Sequence, residues 1–471
     1  MRKSIFWLGS LATTLALFAC QDDSSSNTPG TFDPDAGTYE PPAVDASKAD
    51  VDTADAADAK PSVVTVTVTR GSGPAADVLV VFHDAAGAVL GTTKTDATGK
   101  ATSSTTIPAQ VSVLLGGAAS GRLIHTWTGV EAGDDLVVKD PFPTTVEDRG
   151  AYGFHLFGSY EGADSYGVTV GPCGGSWPSQ SIEAALLINA WENCLGTPTA
   201  VLASALLDYN ISAPKAFAFK KDIGVPAAGP EALSVSLPDW QAPANATLTL
   251  TNRPADVGVA VSLGDIVGGV RFETARQWAS EADTATLDYP AGFGDAHQFG
   301  AAFRKGTSSN VFLKRSAAAT AASFDLATAL PTIETLTFDT TDTKRPTLTW
   351  TASSSLASSD GGEGFIDFYD RHENTFGWSF VVAPGATSIR VPQFPAEAAA
   401  WLPFGEDGGE VPIGASPPSL AFVESDLHAS YAEFRHDGAT LIPYGARDFV
   451  TQIVLPKDGT IRLTSYNELA P

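Results

Sequence analysis

The sequence predicts an all-β protein, with several consecutive β-sandwich domains following a disordered tether. Two observations carry this. Apolar and polar residues alternate with a period of two, most strictly in Val64-Thr65-Val66-Thr67-Val68-Thr69-Arg70, the pattern of a strand with one buried face. Such runs recur between turn residues at the spacing of sandwich folds, about 8–12 residues. They extend over residues 61–471, a length that calls for about three or four domains rather than one.

The first twenty residues stand apart. Arg2 and Lys3 precede an apolar run from Ile5 to Ala19, and Leu17-Phe18-Ala19-Cys20 follows. The run is shorter than the ~20 residues of a membrane-spanning helix. A positive start, an apolar stretch and a small residue before cysteine resemble a bacterial lipoprotein signal. The resemblance implies that Cys20 is lipidated, becomes the mature N-terminus and attaches the protein to a membrane of the cell envelope. Gln21, where an aspartate favours inner-membrane retention in some bacteria, points to the outer membrane.

Residues 21–60 predict the tether. Ten acidic residues against Lys48 and Lys60 leave a net charge of −8, and a chain so charged and so poor in apolar residues cannot bury a core.

Residues 61–141 form the first folded region. Strands are predicted at Val64–Arg70, Val78–Phe82, Val89–Thr93, Val111–Leu115, Leu123–Trp127 and Leu136–Lys139, with a turn at Asp84-Ala85-Ala86-Gly87. The run Val78-Leu79-Val80-Val81-Phe82-His83-Asp84-Ala85-Ala86-Gly87, followed by Thr95-Asp96-Ala97-Thr98-Gly99, resembles the carboxypeptidase-regulatory-like domain, a transthyretin-type sandwich close to Ig-like surface modules. That family's module is an accessory domain, so the resemblance implies a fold and transfers no catalytic residues.

Residues 142–335 predict further sandwich structure, with strands at Gly153–Tyr160, Tyr166–Val170, Ile182–Ala190, Ala200–Leu207, Ala216–Lys220, Ala246–Asn252, Val257–Leu263 and Gly269–Thr274. Residues 336–471 predict a C-terminal sandwich with strands at Thr347–Trp350, Gly377–Val382, Ser388–Val391, Phe449–Leu455 and Thr460–Thr464. Pro395–Trp401 reads as one short helix opened by proline.

Three cysteines are present. With Cys20 committed to lipid, Cys173 and Cys194 remain as an even pair, which predicts one disulfide in an oxidising compartment. A metal pair is the alternative, but no histidine stands at zinc-ligand spacing from either.

Charge limits the partners. Against 28 Lys and Arg stand 54 Asp and Glu, a formal charge of −26, which argues against nucleic acid and anionic lipid surfaces. No P-loop, dinucleotide fingerprint, nucleophile elbow or paired-histidine zinc motif occurs, so no cofactor, metal or catalytic residue is assigned. The densest histidine group is His428 and His436 with Asp426, Glu433, Arg435 and Asp437, readable as a metal or acid–base site on adjacent strands or as a solvated strand edge and loop. Asp134-Asp135, Asp339 with Asp342, and Glu406-Asp407 with Glu410 could hold calcium, act as a glycosidase pair or serve as turn carboxylates.

Eight tryptophans of the folded region are expected to be mostly core. Trp177, in a Gly/Ser/Pro loop near Cys173, is the candidate for an exposed ligand platform. The expectation is therefore an envelope protein with a structural or ligand-binding role toward a glycan or another envelope protein. An extracytoplasmic hydrolase with its site at a domain junction is the alternative. Convergence of His428, His436 and two carboxylates would favour the enzyme.

Overall fold

The computed structural model describes residues 63–466, apart from 71–72, 104–106, 118–120, 142–147, 157, 176–185, 192–199, 209, 211–212, 227–230, 256, 280–281, 318, 343, 370–374, 403–417 and 438–452. The all-β expectation holds: strands dominate, and the described residues include one short α-helix, Tyr431–Asp437.

A twelve-stranded sheet organises the molecule. From edge to edge its strands are Val270–Ala279, Val259–Val267, Ala296–Lys305, Ser308–Ser316, Gly459–Tyr466, Ser419–Ser425, Gly361–Tyr369, Thr375–Val382, Gly121–Thr128, Gln110–Gly117, Leu79–His83 and Val89–Lys94. It therefore draws strands from all three folded regions read in the sequence. The seam is the parallel pairing of Thr375–Val382 with Gly121–Thr128, in which Ser379 faces His125 and Val381 faces Trp127. A strand's sequence reports which of its faces is apolar; it does not report which strand lies beside it.

Over the strands of the first and last regions both faces of this sheet carry cores. In Leu79–His83, Val80 and Phe82 enter one core while Leu79 and Val81 enter another. The first core is closed by a small sheet in which Thr65–Arg70 pairs antiparallel with Lys100–Thr102 and parallel with Asp135–Asp140. The second is closed by Ile333–Asp339, Thr347–Ala352 and Ser388–Arg390, whose Ile333, Leu348, Trp350 and Ile389 point inward. A third small sheet, Ala244–Thr251 with Thr284–Tyr289 and Ala321–Asp325, covers the far end of the long sheet.

Residues 148–236 build a separate sandwich of two sheets around Tyr152, Phe154, Val168, Val201 and Ala218. It meets the long sheet through Phe217 and Phe219, which pack with Val267, Phe272 and Phe293.

Two local expectations change. The predicted strand Phe449–Leu455 extends into residues outside those described, and its described part, Ile453–Leu455, belongs to no strand. The Gln298 side chain donates to the Ile453 carbonyl and accepts from the Leu455 N–H, at 2.7 and 2.9 Å, in place of a neighbouring strand. The predicted helix at Pro395–Trp401 is a 3-10 helix, Ala396–Trp401, preceded by Pro395 at its cap position.

Candidate functional site

Of the residues singled out in the sequence, Cys20, Trp177 and Cys194 lie outside the described residues, as do Glu406, Asp407 and Glu410. Cys173 ends a single 3-10 turn, Gly171–Cys173, and packs half-buried against the core of the separate sandwich.

The histidine group does not sit on adjacent strands. His436 belongs to the helix Tyr431–Asp437 and His428 to the turn before it. Ser430 accepts from the Glu433 N–H at 3.3 Å and Glu433 accepts from the Ala429 N–H at 2.7 Å, a capping arrangement that starts a helix rather than extending a strand. The two histidines part company. His436 Nδ1 lies 2.6 Å from the Asp135 carbonyl oxygen, and His428 Nδ1 lies 3.0 Å from Ser425 Oγ.

The carboxylates are also spoken for. Asp134 pairs with buried Arg435 at 2.7 Å. Asp339 accepts from the Thr341 N–H, and Asp342 accepts from Arg390 at 2.6 Å. Among the described residues no three His, Cys, Asp or Glu side chains gather as a metal would require.

Ser425, His428 and Asp360 do meet, but in an order unsuited to nucleophilic catalysis. Asp360 Oδ2 accepts from both the Ser425 N–H and Oγ–H, at 2.8 and 2.7 Å. The serine proton is thus committed to the carboxylate, and the His428 nitrogen facing Oγ acts as donor. A triad needs the imidazole between serine and carboxylate, with an unprotonated nitrogen toward the hydroxyl. Here the serine stands in the middle, and the cluster clamps the turn from the strand Ser419–Ser425 to the helix.

A second constellation lies inside the parallel seam. His125 Nδ1 is 3.1 Å from Ser379 Oγ, and Ser379 Oγ donates to Glu363 Oε1 at 3.2 Å. Burial pushes the Glu363 carboxyl well above the usual carboxylate range against the Ser379 bond, and burial pushes His125 down to about 3. His125 is therefore neutral near pH 7, and burial favours the protonated form of Glu363. For the acid, stability is fully present below about pH 4.5 and falls as pH rises toward the folded-state value. Glu363→Gln keeps the acceptor and removes the charge, so denaturant titrations from about pH 4 to 10 should show a flatter decline with rising pH than the wild type. An identical decline would assign the pH dependence elsewhere.

His297 and Asp265 form a buried pair near the separate sandwich, with Nε2 3.1 Å from Oδ1. His297 Nδ1 lies 2.6 Å from the Ala319 carbonyl oxygen.

Among the tryptophans with described side chains, five are covered as expected and one is not. Trp127, Trp350 and Trp378 are buried. Trp240 and Trp401 are half-buried, with indole N–H bonds to the carbonyls of Gly158 and Leu115. Trp278 is 75% exposed. Sequence reasoning placed Trp278 among the core candidates; its alternation in phase with Arg276 rather than with Ala275 and Ala279 was the signal for an outward face.

No family model matches the chain, and no curated protein matches it. Among solved structures, the shaft pilin SpaA from Lactobacillus rhamnosus GG aligns at 8% identity over 56% of this chain and 95% of that one, with a TM-score of 0.14. The FN1–FN3 domains of chicken CNTN1 align at 9% identity over 56% of this chain and 83% of that one, at 0.11. The alpha-2-macroglobulin of E. coli aligns at 9% identity over 74% of this chain and 26% of that one, at 0.10. Superpositions at these scores carry no argument about this chain.

Proposed function

We propose that this protein is a lipid-anchored component of the bacterial envelope, held in the outer membrane through Cys20, with a structural or ligand-binding role toward a glycan or another envelope protein. The single observation that carries the binding role is Trp278, a large aromatic left 75% exposed on a sheet face. The polar clusters support the same reading, because each is consumed by a turn, a helix cap or a strand seam. The signal-like start and the acidic stretch 21–60 support attachment through a solvated tether. The region 61–141 serves as an accessory sandwich of the carboxypeptidase-regulatory-like kind.

Cys20→Ala should move the protein from the membrane fraction to the soluble fraction; retention in the membrane would remove the anchor. The same fractionation with separated inner and outer membranes tests the address. We further propose a Cys173–Cys194 disulfide, which closes a loop of about 20 residues and contributes about 3 kcal/mol. Non-reducing peptide mass analysis should find the two joined, and two free thiols would refute the pairing.

A further inference from the structure

We propose that the sheet face around Trp278 is a binding site for a neutral glycan. This rests on the binding role above and names its ligand. Trp278 lies on Val270–Ala279, an edge strand of the long sheet that, among the described residues, pairs only with Val259–Val267. Ala275 and Ala279 enter the core beneath the third small sheet, and Gln277 donates to the Thr286 carbonyl of that sheet at 2.8 Å. Strand alternation therefore turns Arg276 and Trp278 to the opposite face.

The floor beside the indole is low. Its cross-strand neighbour is Ala260, and Ala302 follows on the next strand. A Cβ on Gly258 would stand 3.7 Å from Cε3 and Cζ3 of Trp278, so the ring lies along backbone there.

The rim is polar and planar. Arg276 holds Glu273 through two contacts, Nε to Oε1 at 3.0 Å and Nη2 to Oε2 at 3.1 Å. Arg271 approaches the same carboxylate at 3.5 Å and reaches Ser262 Oγ at 3.4 Å. The Arg276 and Glu273 side chains are part-exposed, whereas those of Arg271 and Ser262 are buried.

Three ligand classes can be weighed against this geometry. A polyanion faces a chain of net charge −26 whose nearby guanidiniums already share a carboxylate. An apolar protein partner wants a contiguous apolar patch, and the other exposed large apolar side chains lie elsewhere. Among the described residues, Val89 and Leu90 are on the opposite edge strand, Ile107 precedes Gln110–Gly117, and Leu207 and Val225 are in the separate sandwich. A pyranose ring offers one C–H face to a single indole and a rim of hydroxyls to the ion pair. Its lack of charge meets no electrostatic penalty.

The test is calorimetric titration of the full chain with neutral hexasaccharides of glucose, mannose and N-acetylglucosamine, and with heparin as the anionic control. At least one neutral hexasaccharide should bind, with an affinity that about 0.5 M salt leaves unchanged. Trp278→Ala should weaken it roughly tenfold or more, and Trp278→Tyr, which keeps a stacking face, should weaken it less. Thermal melting of both variants should match the wild type, because the side chain is mostly in solvent. A neutral glycan bound equally well by Trp278→Ala would overturn the site while leaving the binding role intact. Binding of a purified envelope protein with no neutral hexasaccharide bound would overturn the ligand class. Salt-sensitive binding of heparin alone would overturn it as well.

Discussion

Replacing His297 with alanine should lower the stability of the folded protein by about 3–5 kcal/mol, the loss expected when one partner of a buried ion pair is removed. The two side chains are sealed, His297 at 6% and Asp265 at 0% exposure. The Ala319 carbonyl oxygen can only accept, so the ring donates from Nδ1, and Nε2 faces a carboxylate. A second proton on Nε2 would face the Asp265 carboxyl, which favours the imidazolium. Desolvation pulls the His297 pKa down, but the Asp265 contact and the Ala319 carbonyl outweigh it, and the net direction is up. Stability from a histidine raised in this way is fully present below about pH 6.5 and is lost as pH rises through the folded-state value. Burial pushes the Asp265 carboxyl up against the pull of His297, so the alanine variant leaves a carboxylate that must take up a proton or unfold its surroundings.

The damage should not stay local. A Cβ on Gly294 would meet Asp265 Oδ1 at 2.7 Å, which shows how tightly the preceding loop is drawn over the pair. That loop carries Phe293 into the junction with Phe217 and Phe272, and Asp295 pairs with Lys221 at 3.2 Å. Hydrogen exchange in His297→Ala should therefore rise at residues 216–220 as well as at 293–297. Adding Asp265→Asn should recover part of the loss, because no lone carboxylate remains buried. A single variant within about 1 kcal/mol of the wild type at pH 6 would show that the pair does not hold this junction.

These residues illustrate what the sequence could and could not disclose. Strict alternation in Thr65–Arg70, and short apolar runs between turn residues at Leu79–His83, Gln110–Gly117 and Ala216–Lys220, placed these strands within a residue or two, because both signals are local properties. The seam between Thr375–Val382 and Gly121–Thr128 joins residues about 250 apart, and no local pattern encodes a partner at that distance. The helix at Tyr431–Asp437 was legible in principle. Ser430-Tyr431-Ala432-Glu433 is a Ser-x-x-Glu capping signature, but the histidines on either side drew attention to chemistry instead. The buried Glu363 and His125 gave no warning, since an isolated polar residue in an apolar strand reads as an outward position. Trp278 shows the reverse error. A tryptophan in a strand is usually core, and only its phase against Ala275 and Ala279 marks it as outward.

Trp127→Ala should cost about 3–5 kcal/mol, at the upper end for a buried aromatic, because this residue joins three parts of the chain at once. It is fully buried in the first core, beside Val381 across the parallel seam and Phe434 of the helix. Its Nε1–H donates to the Arg435 carbonyl at 3.1 Å, and His125 stands edge-on at 4.3 Å. Around it the helix is tied to the loop after Gly121–Thr128. Tyr431 donates to the Thr128 carbonyl at 2.8 Å, and Arg435 bonds both the Gly129 carbonyl and Asp134. Arg435 also lies 4.6 Å from the centre of the Tyr431 ring. Truncation would open a cavity at the meeting point of the N-terminal strands, the seam and the helix, and it would leave the Arg435 carbonyl without its donor. Trp127→Phe separates the two losses. It restores most of the apolar volume but not the hydrogen bond, whose absence costs about 1–3 kcal/mol for a buried acceptor. The order wild type, Trp127→Phe, Trp127→Ala in denaturant midpoint, with exchange protection of residues 431–437 falling in step, is the expected result. If Trp127→Ala instead lost helix protection without a change in the midpoint, the helix would be a dispensable strap on a sheet that holds itself together. The parallel seam would then bear the load that the present packing assigns to Trp127.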